Sequence, residues 1–130
     1  AHFCPGRVDH IPWADDQTLA SLYRQAIALV FPSLYEGFGI PVAEAMASAC
    51  PVIAANTSSI PEVAGSAACL LESVNSDTLR VAFDQVQQAA YRADLIEAGV
   101  DRAKAFAWDK CALSTRNIYS ALYSQHCAHF

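Results

Sequence analysis

The sequence predicts an α/β fold, a parallel sheet flanked by helices, in a single domain over residues 1–130. Three observations carry this. Apolar runs such as Ile27-Ala-Leu-Val-Phe31 are uninterrupted, the pattern of a parallel strand covered on both faces rather than the alternation of a half-exposed one. Stretches of good helix formers with start signals separate these runs, so strand alternates with helix and right-handed crossovers are expected. Loops with glycine and small polar residues follow the runs, at the carboxyl ends where open α/β sheets bind ligands.

Taken in order, a short strand is expected near residues 2–4, then a loop at Gly6 and a helix at about 16–25. Asp15-Asp16 has the look of a catalytic acid pair, but it precedes Thr18-Leu-Ala-Ser-Leu-Tyr23, and Asp is a preferred helix N-cap. The strand at 27–31 leads through a loop to a helix ending near Ser48. A strand at 52–55, a short helix at 60–64 and a strand at 68–72 follow, and three helices at about 76–89, 91–106 and 108–125 close the chain. There is no internal repeat, low-complexity segment or linker.

The loop at 32–44 carries the chemistry. Gly37 and Gly39 let the backbone turn tightly and approach a ligand closely, and Pro41 suits a first helical position. The unpaired N–H groups opening the next helix favour an anion such as a diphosphate. Glu44, eight positions after Glu36, is expected in the first turn of that helix, where Cα–Cβ bonds tilt toward the N-terminus and carry its carboxylate back to the same mouth. A carboxylate only accepts hydrogen bonds, so Glu44 suits neighbouring hydroxyls, as on a ribose, and Glu36 suits the hydroxyls of a group beyond the phosphates. The plainer alternative makes Glu36 a solvated loop charge and Glu44 an acid near a helix N-terminus, worth about 0.3–1 kcal/mol.

The whole string, Pro32-Ser-Leu-Tyr-Glu36-Gly37-Phe38-Gly39-Ile40-Pro-Val-Ala-Glu44-Ala-Met-Ala47, closely resembles the E-x7-E signature of GT-B glycosyltransferases of family four, the group 1 transferases. The resemblance runs on through Pro51-Val-Ile-Ala-Ala-Asn-Thr-Ser-Ser-Ile-Pro-Glu-Val-Ala-Gly65 and Phe106-Ala-Trp-Asp109, and upstream through Gly6-Arg7-Val8 and the segment 19–26. Ala49 stands where the family usually has glycine, and Ala107 where it often has a serine cap.

The resemblance implies the second half of a GT-B carboxyl-terminal domain, a partial Rossmann-like sheet. It implies a retaining transferase that moves a sugar from a UDP-, GDP- or ADP-linked donor to a carbohydrate or lipid-linked acceptor, in cell-surface polysaccharide or lipopolysaccharide synthesis. Glu36 would be the catalytic residue that positions the donor sugar, Glu44 would hold the nucleotide ribose, and the amides of Gly37, Phe38, Gly39 and Ile40 would face sugar and phosphate oxygens. The family commonly assigns the base to a donor phosphate oxygen, and no cofactor or metal is expected.

The family's glycine-rich opening, its diphosphate-holding Arg/Lys pair and its amino-terminal acceptor domain have no counterpart in these residues. A fragment of a longer protein is therefore expected, inactive by itself, with Arg7 as the one nearby cation because Lys104 and Lys110 fall in distal helices. The alternatives are a donor-binding or interaction module without turnover, or a GT-B phosphorylase or epimerase.

Composition bounds the rest. A chain of 130 residues buries roughly two-thirds of its unfolded surface. Its hydrophobic share of 54% includes 25 alanines and fits a unit with surface to be covered by further strands and helices. A net charge of −5 with scattered Arg and Lys argues against a nucleic-acid surface. No apolar run approaches the ~18 residues of a membrane span. A cytoplasmic location is expected, with peripheral contact at the inner membrane face left open for the full protein.

Cys4, Cys50, Cys69, Cys111 and Cys127 show no CxxC spacing and read as reduced core thiols. His126-Cys127-Ala128-His129 sits at a chain end, where a metal site is not expected. Asn56-Thr57-Ser58-Ser59 follows a buried strand, so these residues either line a pocket or turn the chain into the Pro61 helix.

Overall fold

The computed structural model describes residues 8–127, with side chains to residue 125. The expected strand at 2–4, the Gly6 loop, Arg7 and Cys4 lie outside the described residues, as do the side chains of His126-Cys127-Ala128-His129.

Helix α1, Asp16–Gln25, begins where Asp15 Oδ1 accepts the Thr18 amide at 2.7 Å, and these hydrogen bonds hold the Asp15 carboxyl below its usual range. The Asp15-Asp16 pair is thus a cap. Strand β1, Leu29–Phe31, pairs in parallel with β2, Val52–Ala55, which pairs in parallel with β3, Cys69–Leu71. The order β1-β2-β3 puts β2 in the middle, with Val30 opposite Ile53 and Ala54 opposite Leu70.

All four β2 residues are buried. Val52 and Ala54 pack into one core cluster with Val42, Met46, Ile60 and Val63, whereas Ile53 packs into another with Cys69, Ala82, Val86 and Leu95. Its continuous apolar run is therefore required by helices on both faces. β1 is only half buried because it is an edge strand among the described residues, and it is shorter than expected: Ile27 falls outside it and is 55% exposed.

Helix α2, Ile40–Ala47, lies between β1 and β2, and α3, Ile60–Ala64, between β2 and β3. Helix α4, Ser76–Val86, opens on a capping box between Asn75 and Thr78. It stops earlier than expected because Gln88 is extended, and α5, Ala89–Ala103, starts there. Helix α5 packs on α2 at Gly99, where an added Cβ would lie 3.3 Å from Met46 Cγ. A 3-10 turn, Lys104–Phe106, then leads into α6, Trp108–Cys127, whose described side chains are all exposed. Cys50 and Cys69 are buried free thiols, and Cys111, contrary to expectation, is exposed.

Candidate functional site

The loop after β1 turns into α2 at Gly39, the N-cap, which adopts φ +95° and is buried. A Cβ there would stand 2.6 Å from Ile60 Cδ1, so the position demands glycine twice over, by backbone conformation and by space. Gly37 demands neither: its φ is not left-handed, and nothing lies within 4 Å of an added Cβ. The tight turn expected of both glycines belongs to Gly39 alone.

Pro41 is the second helical residue, not the first, and has no N–H. Val42 N donates to the Gly39 carbonyl at 2.9 Å and Ala43 N to the same oxygen at 3.4 Å. The amides of Gly37, Phe38, Gly39 and Ile40 have no protein acceptor among the described residues. Four consecutive N–H groups at the positive end of an eight-residue helix make a donor site for negatively charged or polar oxygens.

Glu44 lies at the start of the second turn of α2, one residue deeper than expected, because the helix starts at Ile40 and not at Pro41. Its carboxylate is exposed, and Oε2 accepts the Tyr23 hydroxyl at 3.4 Å, a long bond. Tyr23 is buried, and burial together with the adjacent Glu44 charge pushes its hydroxyl up to about 12. α1 thereby flanks the carboxylate without neutralising it.

Glu36 is held by its peptide. Its N–H donates to Ser58 Oγ at 3.3 Å, and its carbonyl accepts Ser58 Oγ at 2.7 Å and Ser59 Oγ at 3.0 Å. On the other side of the loop the Phe38 ring meets Phe106 edge-on, centroids 5.4 Å apart at 88°. The Arg102 guanidinium sits 5.1 Å over Phe106; its Nε donates to the Val63 carbonyl at 2.9 Å and its Nη2 to the Glu62 carbonyl.

Phe38, Ile40 and Glu44 also line a groove of about 880 Å³, completed by residues including Lys104, Trp108 and Lys110. Glu36 is not among its lining residues. The groove corrects the placement of the two lysines: the 3-10 turn and the start of α6 stand across it from α2, so both lysines line it together with Phe38, Ile40 and Glu44. Lys104 Nζ is paired with Asp101 at 3.2 Å, an exposed pair of little energetic weight. The serine clamp and the lysines were missed in the sequence; only the small polar run after β2 hinted at the first. Among the described residues no cluster of three or more His, Cys, Asp or Glu is placed to hold a metal.

Residues 2–102 match the family model described as "Glycosyl transferases group 1". The chain belongs to that family. It is 35% identical over 118 residues to O-antigen chain mannosyltransferase B of Escherichia coli, covering 90% of this chain and 31% of that protein. It is 31% identical over 118 residues to a D-inositol 3-phosphate glycosyltransferase of Streptomyces avermitilis, covering 88% of this chain and 25% of that protein. Sucrose-phosphate synthase from Thermosynechococcus elongatus superimposes with a TM-score of 0.84 at 29% identity, over 93% of this chain and 31% of that one. The GT-B, family-four type and the α/β class expected from the group 1 resemblance are thereby met. The chain spans about a third or less of the length of these relatives.

Proposed function

We propose that this group 1 chain is the donor-binding part of a retaining glycosyltransferase that takes its sugar from a nucleotide diphosphate sugar. The observation that carries the reading is the row of unpaired amides at residues 37–40, opening α2 beside the Glu44 carboxylate. Those amides and the helix end favour the leaving diphosphate, where negative charge develops in the transition state. Glu44, acceptor-only and exposed, takes the ribose hydroxyls, and Glu36 takes hydroxyls of the transferred sugar. No metal or cofactor enters this scheme. The relatives named as an O-antigen chain mannosyltransferase and a D-inositol 3-phosphate glycosyltransferase support a carbohydrate acceptor for the longer protein; a lipid-linked acceptor and a cytoplasmic or peripheral membrane location belong to the same proposal. No helix among the described residues is long and apolar enough to cross a membrane.

Paired substitutions in the full-length enzyme test the assignment. Glu44→Gln should weaken nucleoside diphosphate binding by about 1.5–3 kcal/mol, the worth of charge-assisted hydrogen bonds. Glu36→Gln should depress turnover while leaving free nucleoside diphosphate binding nearly intact. Unchanged calorimetric affinity in Glu44→Gln removes the ribose assignment. Equal losses for diphosphate and sugar-linked donor in Glu36→Gln move that residue into the nucleotide site.

A further inference from the structure

We propose that Ser58 and Ser59 are positioning residues for Glu36, an inference that rests on the transferase reading above and adds to it the part of the fold that aims the carboxylate. Ser58 is one of two non-glycine residues with positive φ among the described residues, at +55°. A serine is held in the left-handed region only where its surroundings over-determine it. Here the reason is visible, since that backbone turn brings one hydroxyl against both the N–H and the carbonyl of Glu36.

Ser59 makes the second half of the device. It occupies the N-cap position of α3, where a serine side chain ordinarily accepts an amide of the first turn, yet it makes no cap hydrogen bond. Its hydroxyl donates to the Glu36 carbonyl instead, so that oxygen receives two hydroxyl donors. Two serines of adjacent sequence thus grip one peptide 22 and 23 residues away.

The grip is useful because its base is built into the core. Ile60, next in sequence to Ser59, is fully buried, and the far end of α3 is tied to α5 through the Arg102 bonds to the Glu62 and Val63 carbonyls. The Cα of Glu36 is therefore fixed relative to the sheet core, although the residue itself lies on an otherwise open loop. With the Cα fixed, only the side-chain torsions of Glu36 remain to be set when a sugar arrives. Misplacement of a reacting group by about 1 Å can lower a rate on the order of 100-fold, so a loop without this anchor would be a poor platform.

Ser58→Gly separates positioning from stability, because glycine accepts the left-handed backbone while the hydroxymethyl group and its hydrogen bonds to Glu36 are lost. Loss of a neutral hydrogen bond corresponds to about a 2- to 12-fold effect. In the 130-residue chain, Ser58→Gly should keep or raise the melting temperature and speed hydrogen exchange of the Glu36 amide by about 3- to 10-fold. In the full-length enzyme the same change should lower kcat by a similar factor, with free nucleoside diphosphate affinity within about twofold of wild type. Ser59→Ala should do the same to kcat, and Ser58→Asn, which tolerates positive φ and keeps a donor and an acceptor, should recover part of the loss. Unchanged Glu36 exchange in Ser58→Gly overturns the clamp, and loosened exchange with unchanged kcat overturns its role in the reaction. A wild-type full-length enzyme that transfers no sugar defeats the transferase reading instead, and the exchange arm still decides the clamp.

Discussion

Replacing Gly39 by alanine isolates the backbone requirement that builds the mouth of the site. Alanine at φ +95° carries a left-handed penalty of about 1–2 kcal/mol. The new methyl would lie 2.6 Å from Ile60 Cδ1, and Ile60 is fully buried, so the displacement has no open space to go to and adds about 1–3 kcal/mol. Reduced freedom of the unfolded chain offsets about 0.4–1 kcal/mol of this. The net loss is about 1–5 kcal/mol, with a midpoint of about 3 kcal/mol that corresponds to about 10 °C in melting temperature for a chain of this size. Urea unfolding followed by circular dichroism measures it, with Gly37→Ala as the internal control. An added Cβ at Gly37 meets nothing within 4 Å, and its variant should stay within about 1 kcal/mol of wild type. If the two variants prove equally stable, the account of how Gly39 shapes the turn is wrong.

Tyr23 gives the fold an alkaline signature. Its hydroxyl stays protonated in the folded state up to about 12 against 10.0 when unfolded, so the folded state binds that proton more tightly. The resulting stability is fully present below pH 10 and is lost as pH rises toward 12, amounting to at most about 2 kcal/mol once solvent screening is allowed for. Tyr23→Phe should flatten that part of the stability–pH curve, and an unaltered slope would assign it to other groups. Arg102→Leu removes the bonds to the Glu62 and Val63 carbonyls and the contact over Phe106, and should cost about 1–3 kcal/mol in chemical denaturation. Arg102→Lys should not restore it, since an ammonium cannot bridge two carbonyls and lie flat on a ring; full recovery by lysine would refute the bridging role. The 130-residue chain by itself should fold yet transfer no sugar from labelled nucleotide sugars, and robust transfer would overturn the fragment reading.

Where local chemistry decides, the sequence is informative. Asp15 before Thr18, Pro41 at the start of α2 and the unbroken run in β2 each state their structure, because capping, ring geometry and two-sided burial act within a few residues. Glu36 and Glu44 are recognisable as candidates through the string around them, though the helix start lies one residue earlier than Pro41 suggests and moves Glu44 into the second turn. Contacts across long separations are not legible in this way. Nothing near Lys104 or Lys110 announces that the 3-10 turn and α6 return to α2, some 60 residues earlier in the chain, and nothing near Ser58 announces a partner 22 residues back. The apolar run at β1 also overstates burial, since periodicity reports what a strand can bury and not whether a neighbour is there to cover it.

A structure of the full-length enzyme with a nucleotide diphosphate sugar bound decides whether residues 36–44 form the donor site. Phosphate or sugar oxygens should lie within hydrogen-bonding distance of the amides of residues 37–40, the ribose hydroxyls on Glu44, and the transferred sugar on Glu36 with its peptide still held by Ser58 and Ser59. A donor bound with those amides empty and its ribose remote from Glu44 would contradict that assignment.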